Sequence, residues 1–304
     1  MTTFRPLPVV LFLALSFGLA WLVALPLWLG DGIKHPYFTW IAIAIMWTPA
    51  IAALAVARFM ERSADLPRSV GLQPWRPLGR TLLYSLGAAL AALLISLASL
   101  AAGALFDVYA FDLQHLSGLD ALLREKLAGR EAALAALPPL HVVAALQVVL
   151  VFAAAPLNAV GALGEELGWR GWLLPRLMPL GTVPAILISG IAWGLWHAPV
   201  ILLGYNYGAT PSWLALACMC AMCIAVGAVL SWFTLRAASV WPAVIGHGAF
   251  NAAAGLYLVF GRAGQEIDPT VATPLGWTGW IFPALLALLL FHFTRHRHGT
   301  PAHV

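Results

Sequence analysis

Charge is scarce in this sequence, which has 16 lysines and arginines and 12 aspartates and glutamates among 304 residues. Charged residues make up 9% of the chain and hydrophobic residues 62%, whereas soluble domains contain about 25% charged residues. The shortage excludes an ordinary soluble domain and predicts a polytopic membrane protein. The net charge of +4 could suggest nucleic acid as a partner. The basic residues follow membrane topology instead, so we expect the lipid bilayer as a partner and no nucleic acid.

Cysteine is also rare, and the three cysteines all lie in one apolar segment, as Cys218, Cys220 and Cys223. Their spacings put no clear pair on one helix face, and the rest of the chain has no partner for them. A disulfide framework is therefore not expected. We interpret the three as small buried helix residues rather than as a metal site.

Long apolar runs are abundant, and eight of them are separated by loops that contain Pro, Gly or Arg. They cover residues 7–29, 37–59, 81–106, 142–176, 185–203, 213–235, 240–260 and 274–293. The sequence therefore predicts an all-α fold. We expect a polytopic membrane helical bundle of about eight transmembrane helices that forms a single membrane domain over residues 1–304.

The arginines indicate the orientation of this bundle, because cytoplasmic loops carry an excess of basic residues. With Arg5 and the N-terminus in the cytoplasm, the arginine-rich loop of residues 58–80 and the short polar tail 295–304 lie there too. Both termini are therefore predicted to be cytoplasmic. Short loops and a compact, arginine-flanked bundle are typical of an integral protein of the bacterial inner (plasma) membrane.

The longest predicted loop, residues 107–141, lies on the non-cytoplasmic side in this orientation. Within it, residues 119–137 place six charged side chains opposite a face of leucine and alanine. This pattern predicts one continuous amphipathic helix on the membrane surface.

Two adjacent carboxylates interrupt one of the most apolar regions of the chain. Glu165 and Glu166 lie in the fourth predicted span, and Arg170 follows one helical turn later. Glu166 and Arg170 are at i,i+4, which favours an ion pair on one helix face. Glu165 points about 100° away around the helix, with no cation at that spacing. We therefore expect Glu166 to be structural and Glu165 to be available for chemistry, because ionisable groups at membrane depth usually mark functional sites.

Two histidines lie at a similar depth in later spans. By helix rise, the glutamates are roughly 15 Å from the cytoplasmic end, His197 roughly 18 Å and His247 roughly 12 Å. Asn251 follows His247 at i+4, so the two side chains share a face. Taken singly, a histidine or asparagine in such a helix usually forms a hydrogen bond to a neighbouring helix. Together, on three spans at one depth, these groups predict a functional site. Glycines beside the glutamates and beside His247 should let the helices approach closely.

The order of these residues resembles the CPBP (Abi) family of intramembrane proteases. The motifs are Glu165-Glu166-x-x-x-Arg170, Trp193-x-x-x-His197 and His247-x-x-x-Asn251. The family includes type II CAAX prenyl endopeptidases and bacteriocin-processing or immunity proteins, and its eight-helix bundle agrees with the spans above. The motif core covers about residues 142–260. One departure is Trp193, where the family usually has phenylalanine. We interpret this residue as a packing position.

The resemblance implies hydrolysis of a peptide bond within the membrane by an activated water. We expect Glu165 to be the base, with His197 helping to orient or deprotonate the water. His247 and Asn251 would stabilise the oxyanion. Glu166, Arg170 and Trp193 would support the site. No serine or cysteine stands in the motifs beside a base, so a covalent nucleophile is not expected.

Metal dependence stays open at this point. Glu165, His197 and His247 could form a zinc site with water as the fourth ligand. The family has been described both as metalloproteases and as metal-free glutamate proteases. The sequence lacks the compact His-Glu-x-x-His zinc motif, so we favour the metal-free version, with zinc as the alternative cofactor.

The expected substrate is a membrane-associated or lipidated peptide, or a membrane protein. Two alternatives from other classes also fit the composition. The chain could be a non-catalytic bacteriocin-immunity or regulatory membrane protein that uses the polar cluster structurally. It could also be a small transporter or proton relay, although we find no internal repeat that would support transport.

Overall fold

The computed structural model describes residues 3–73 and 77–295, and the predicted tail beyond Arg295 lies outside the described residues. The principal helices, numbered in chain order, are α1 (Pro6–Leu29), α2 (Phe38–Met60), α3 (Leu78–Leu105), α4 (Ser117–Lys126), α5 (Glu131–Ala135), α6 (Leu140–Leu180), α7 (Thr182–Trp196), α8 (Ser212–Ala237), α9 (Trp241–Phe260) and α10 (Trp277–Arg295).

These helices confirm the predicted all-α bundle. Six of them, α1, α2, α3, α6, α8 and α9, are long and apolar enough to cross a membrane. The other two predicted spans, α7 and α10, are apolar but shorter. Within the described part of the chain, β structure is confined to one isolated bridge between Phe111 and Gly261. The cytoplasmic position of the two termini stays a prediction.

The helices of the motif region pack against one another and against their neighbours. Helix α9 packs against both α6 and α3, and α8 packs against α7 and α10. Helix α6 carries Glu165, α9 carries His247 and Asn251, and α7 ends directly before His197. The packing of these helices brings the three polar segments together inside the protein.

The second half of α6 contains a stretch of π-helix, which is wider than an α-helix. Helix α6 is α-helical from Leu140 to Glu166 and takes π-helical turns over Leu167–Leu173, where every residue is buried. Such turns are rare and often occur at functional sites. The helix then continues to Leu180, four residues beyond the predicted end of the span.

Close contacts between helix backbones occur at the glycines beside the polar residues, as the sequence predicted. A Cβ atom on Gly164 would lie 2.5 Å from the carbonyl oxygen of Met46 and 2.7 Å from Cα of Trp47. A Cβ atom on Gly248 of α9 would collide with the carbonyl of Ala155. Only glycine fits at these two crossings, which set the distances from α6 to α2 and to α9.

The prediction of one continuous amphipathic helix over residues 119–137 is wrong. Helix α4 ends at Lys126 and α5 begins at Glu131. Between them Gly129 has φ +75°, a left-handed conformation that glycine adopts at little cost. The apolar side of α4 is buried against the bundle, since Leu119 belongs to a cluster with Val143 of α6 and Val259 of α9.

A partly buried ion pair just beyond the last residue of α2 connects this helix to α6. Glu61 accepts hydrogen bonds from Nε of Arg176 at 2.8 Å and from Nε1 of Trp172 at 3.2 Å. Nη2 of Arg176 adds a contact of 2.5 Å. Burial opposes ionisation of Glu61, but the hydrogen bonds and positive charge of Arg176 outweigh it, so the pKa of this carboxyl is lowered.

This shift predicts acid-sensitive stability. Because the pKa of Glu61 is lower in the folded protein than its ordinary value of about 4.5, the ion pair stabilises the fold above that pH. The stabilisation is lost as the pH falls through the folded-state pKa. We expect the melting temperature in detergent to fall more steeply for the wild type than for Glu61→Gln between about pH 5 and about pH 3. Parallel curves would contradict this role.

Candidate active site

The four residues predicted to be catalytic line one cavity of about 530 Å³. Glu165 comes from α6, His197 directly follows α7, and His247 and Asn251 come from α9. The side chain of Glu165 is 2% exposed and that of His247 is 5% exposed, while Asn251 is exposed. The structure therefore brings together all four residues, at the inner wall and the rim of one cavity.

Trp193 holds two of these residues. Its indole Nε1–H donates to Oε2 of Glu165 at 2.6 Å. Its backbone carbonyl accepts a hydrogen bond from Nδ1 of His197 at 2.8 Å. Because a carbonyl can only accept, Nδ1 carries the hydrogen and Nε2 is the nitrogen outside this contact. Trp193 thus does more than the packing that the sequence suggested.

Glu166 connects α6 to α9 through a buried network. Its Oε1 accepts from Nη1 of Arg170 at 2.8 Å, the ion pair that the i,i+4 spacing predicted. The same oxygen accepts from Nδ1 of His247 at 2.8 Å. Glu166 is fully buried and Arg170 is 1% exposed. The contact with His247 joins residues 81 positions apart, so helix spacing alone could not have revealed it.

Arg170 also lies against the ring of Trp193. The guanidinium carbon is 4.0 Å from the ring centroid, a cation–π distance. Nε and Nη2 of Arg170 are buried and have no hydrogen-bond partner among the described residues. The guanidinium is therefore held by one carboxylate oxygen and one aromatic face.

Several polar residues of the same cavity were not predicted from the sequence. They include Asn158, Tyr205, Asn206 and Tyr257. Asn158 precedes Glu165 by seven residues on α6, so helical periodicity placed both on one face and could have identified it. Tyr205 and Asn206 belong to the loop after α7, whose position over the cavity depends on the tertiary fold.

The residues proposed for zinc have the donor atoms that zinc prefers. Each histidine gives one ring nitrogen to a protein acceptor, as metal-ligating histidines usually do. However, no group of three His, Cys, Asp or Glu side chains that could hold a metal ion occurs in residues 3–73 and 77–295. The chemistry proposed below uses the side chains alone, and metal dependence stays a prediction.

Comparison with known proteins agrees with the residue pattern. Residues 140–253 match the family model described as Type II CAAX prenyl endopeptidase Rce1-like. No curated protein sequence matches the chain. The matched residues include all three motifs and every side chain of the network around Glu165 and Glu166. This segment, 114 of the 304 residues, is similar to the Rce1-like family of type II CAAX prenyl endopeptidases.

Proposed function

We propose that this protein is an intramembrane endopeptidase that activates a water molecule between Glu165 and His197. The observation that carries the proposal is the cavity inside a bundle of membrane helices, where one buried carboxylate meets two imidazoles and an amide. Such a constellation can supply a base, a second proton-transfer group and oxyanion donors. The match to a protease family supports the same reaction class.

The contacts of Trp193 suggest which atoms act on the water. Oε2 of Glu165 accepts from the indole, and Nδ1 of His197 donates to the backbone. Oε1 of Glu165 and Nε2 of His197 are therefore the atoms that take part in our mechanism. Water loses a proton to Glu165 as its oxygen attacks the peptide carbonyl. The proton then passes to the amide nitrogen, and the C–N bond breaks to give a carboxylic acid and an amine. The acid then transfers its proton to the amine, which leaves a carboxylate and an ammonium group.

His247 and Asn251 are proposed to stabilise the tetrahedral intermediate. Nδ1 of His247 donates to Glu166, which leaves Nε2 as the donor towards the substrate. A ring that donates from both nitrogens carries a positive charge, which the contact with the Glu166 carboxylate stabilises. Asn251 lies one turn further along α9 and contributes its amide N–H. Each such donor contributes about 3–4 kcal/mol to transition-state stabilisation in well-studied hydrolases.

The cavity lining favours an uncharged, flexible substrate segment. Apolar side chains make up much of it, including three methionines, Met46, Met219 and Met222. Methionine adapts to varied shapes. Neutral hydrogen-bonding groups lie among them, including Asn158 and Tyr257. We therefore propose a membrane-associated or lipidated peptide or a membrane protein as the substrate, bound through a stretch of neutral residues.

The cavity also indicates a direction of entry. It reaches the start of α2 at Phe38 and Thr39, the loop after α7 and the loop before α10. These segments lie at the end of the bundle opposite the N-terminus of α1, because successive spans alternate in direction. We propose that substrate enters from this end, which is the non-cytoplasmic end in the predicted orientation.

The experiment is cleavage by the purified protein in liposomes that contain a library of membrane peptides. Mass spectrometry should detect new peptide ends with the wild type and none with His247→Gln. Cleavage that resists chelators, in protein without zinc by elemental analysis, would support the metal-free mechanism. One equivalent of zinc and loss of cleavage on chelation would contradict it. Binding of a peptide without any cleavage would favour the non-catalytic alternative.

A further inference from the structure

We propose that Trp193 is a positioning residue that orients both members of the water-activating pair. The proposal rests on the function proposed above. Two different groups of this one residue are involved, the indole N–H on Glu165 and the backbone carbonyl on His197. Trp193 itself is 2% exposed, so water cannot readily replace either contact.

The indole contact fixes the direction of the carboxylate. A glutamate side chain has several rotatable bonds and loses considerable entropy when it is held in one conformation. The 2.6 Å hydrogen bond holds Oε2 of Glu165 against the wall formed by α7, which directs the other oxygen into the cavity. Phenylalanine can fill much of the same space but has no N–H. Tryptophan at this position is therefore proposed to orient the Glu165 carboxylate as well as to fill space.

The position of the indole is itself held from both sides. The guanidinium of Arg170 lies over the ring at 4.0 Å. Gly227 of α8 lies beside both groups. A Cβ atom added to it would lie 2.7 Å from Nη2 of Arg170 and 3.7 Å from two ring carbons of Trp193. Gly227 of α8 thus provides the space in which the guanidinium and the ring stack. His247 completes the surroundings, with its ring centroid 5.4 Å from that of Trp193.

This stacking links the two glutamates. Glu166 holds Arg170 and His247, Arg170 lies on Trp193, and Trp193 holds Glu165. We infer that the buried ion network contributes to catalysis through the indole. Gly227 should then be a second positioning residue, although it contacts neither Glu165 nor the histidines in these interactions.

The test compares Trp193→Phe with Trp172→Phe. Both changes remove an indole N–H that donates to a carboxylate, since Trp172 donates to Glu61 outside the cavity. Hydrogen bonds to charged groups are strong, so we expect kcat of Trp193→Phe to fall by about 10- to 100-fold, with KM changed less than about twofold. Trp172→Phe should reduce thermal stability while kcat stays within about twofold of wild type. Wild-type kcat in Trp193→Phe, or an equal loss in both variants, would overturn the proposal.

A spectroscopic measurement separates this proposal from the proposed function. In ¹⁵N-tryptophan-labelled protein, the indole signal of Trp193 is identified by its absence in Trp193→Phe. We expect this signal to shift in Glu165→Gln and in Gly227→Ala, and to stay in place in Gly18→Ala, where nothing lies within 4 Å of the added methyl group. An unshifted signal in Glu165→Gln would overturn the indole contact. A shifted signal in a protein that cleaves no peptide would instead contradict the proposed function alone.

Discussion

Replacing Glu165 with glutamine is expected to slow peptide cleavage by about 10²- to 10⁴-fold, the usual contribution of a general base. Glutamine has the same size and keeps an oxygen that can accept the indole N–H of Trp193. The carboxylate that is proposed to take the proton from water is removed. Because a neutral amide is easier to bury than a carboxylate, the variant should fold as well as the wild type.

The matched control for this variant is Glu131→Gln. Glu131 is an exposed residue of α5 on the loop side of the bundle, so the same chemical change there should leave cleavage unaltered. Both variants should melt cooperatively in detergent at temperatures close to that of the wild type. Glu165→Gln protein that is folded and fully active would rule out this carboxylate as the base.

Replacing Arg170 with methionine is expected to lower the free energy of unfolding by about 3–5 kcal/mol, the typical effect of breaking a buried ion pair. Glu166 is fully buried and would keep only His247 as a hydrogen-bond donor. The side chain of methionine also leaves part of the space beside Trp193 unfilled. Denaturant or thermal unfolding in detergent measures the loss.

Two further variants identify the cause of that loss. In Glu166→Gln/Arg170→Met the buried carboxylate that lost its arginine is also removed, so this double variant should be more stable than Arg170→Met alone. Arg124→Met removes an exposed arginine that forms an i,i+4 pair with Asp120 at 2.7 Å, and it should change stability little. Equal losses in Arg124→Met and Arg170→Met would show that burial of the Glu166 pair is not the cause.

The features predicted correctly are those that depend on local periodicity. The apolar runs specify the membrane helices because each must satisfy its own backbone hydrogen bonds in lipid. The i,i+4 spacing of Glu166 and Arg170 specifies their ion pair, and the glycines beside the polar residues indicate close helix crossings. Each of these inferences needs only a few neighbouring residues.

The contacts that were not predicted depend on how separate helices rotate against one another. The bond from Trp193 to Glu165 joins residues 28 positions apart, and that from His247 to Glu166 joins residues 81 apart. The π-helical turns after Glu166 also change the direction of the side chains that follow. The break at Gly129 was missed because the leucine and alanine pattern continues through it.

The most direct test of the central claim is a double-mutant cycle on the cleavage rate, made from Glu165→Gln, His197→Ala and the combined variant. If both side chains act on the same water molecule, the combined variant should be no more than about threefold slower than the slower single variant. If the two rate reductions multiply, Glu165 and His197 act independently, and the shared activation of one water molecule is contradicted.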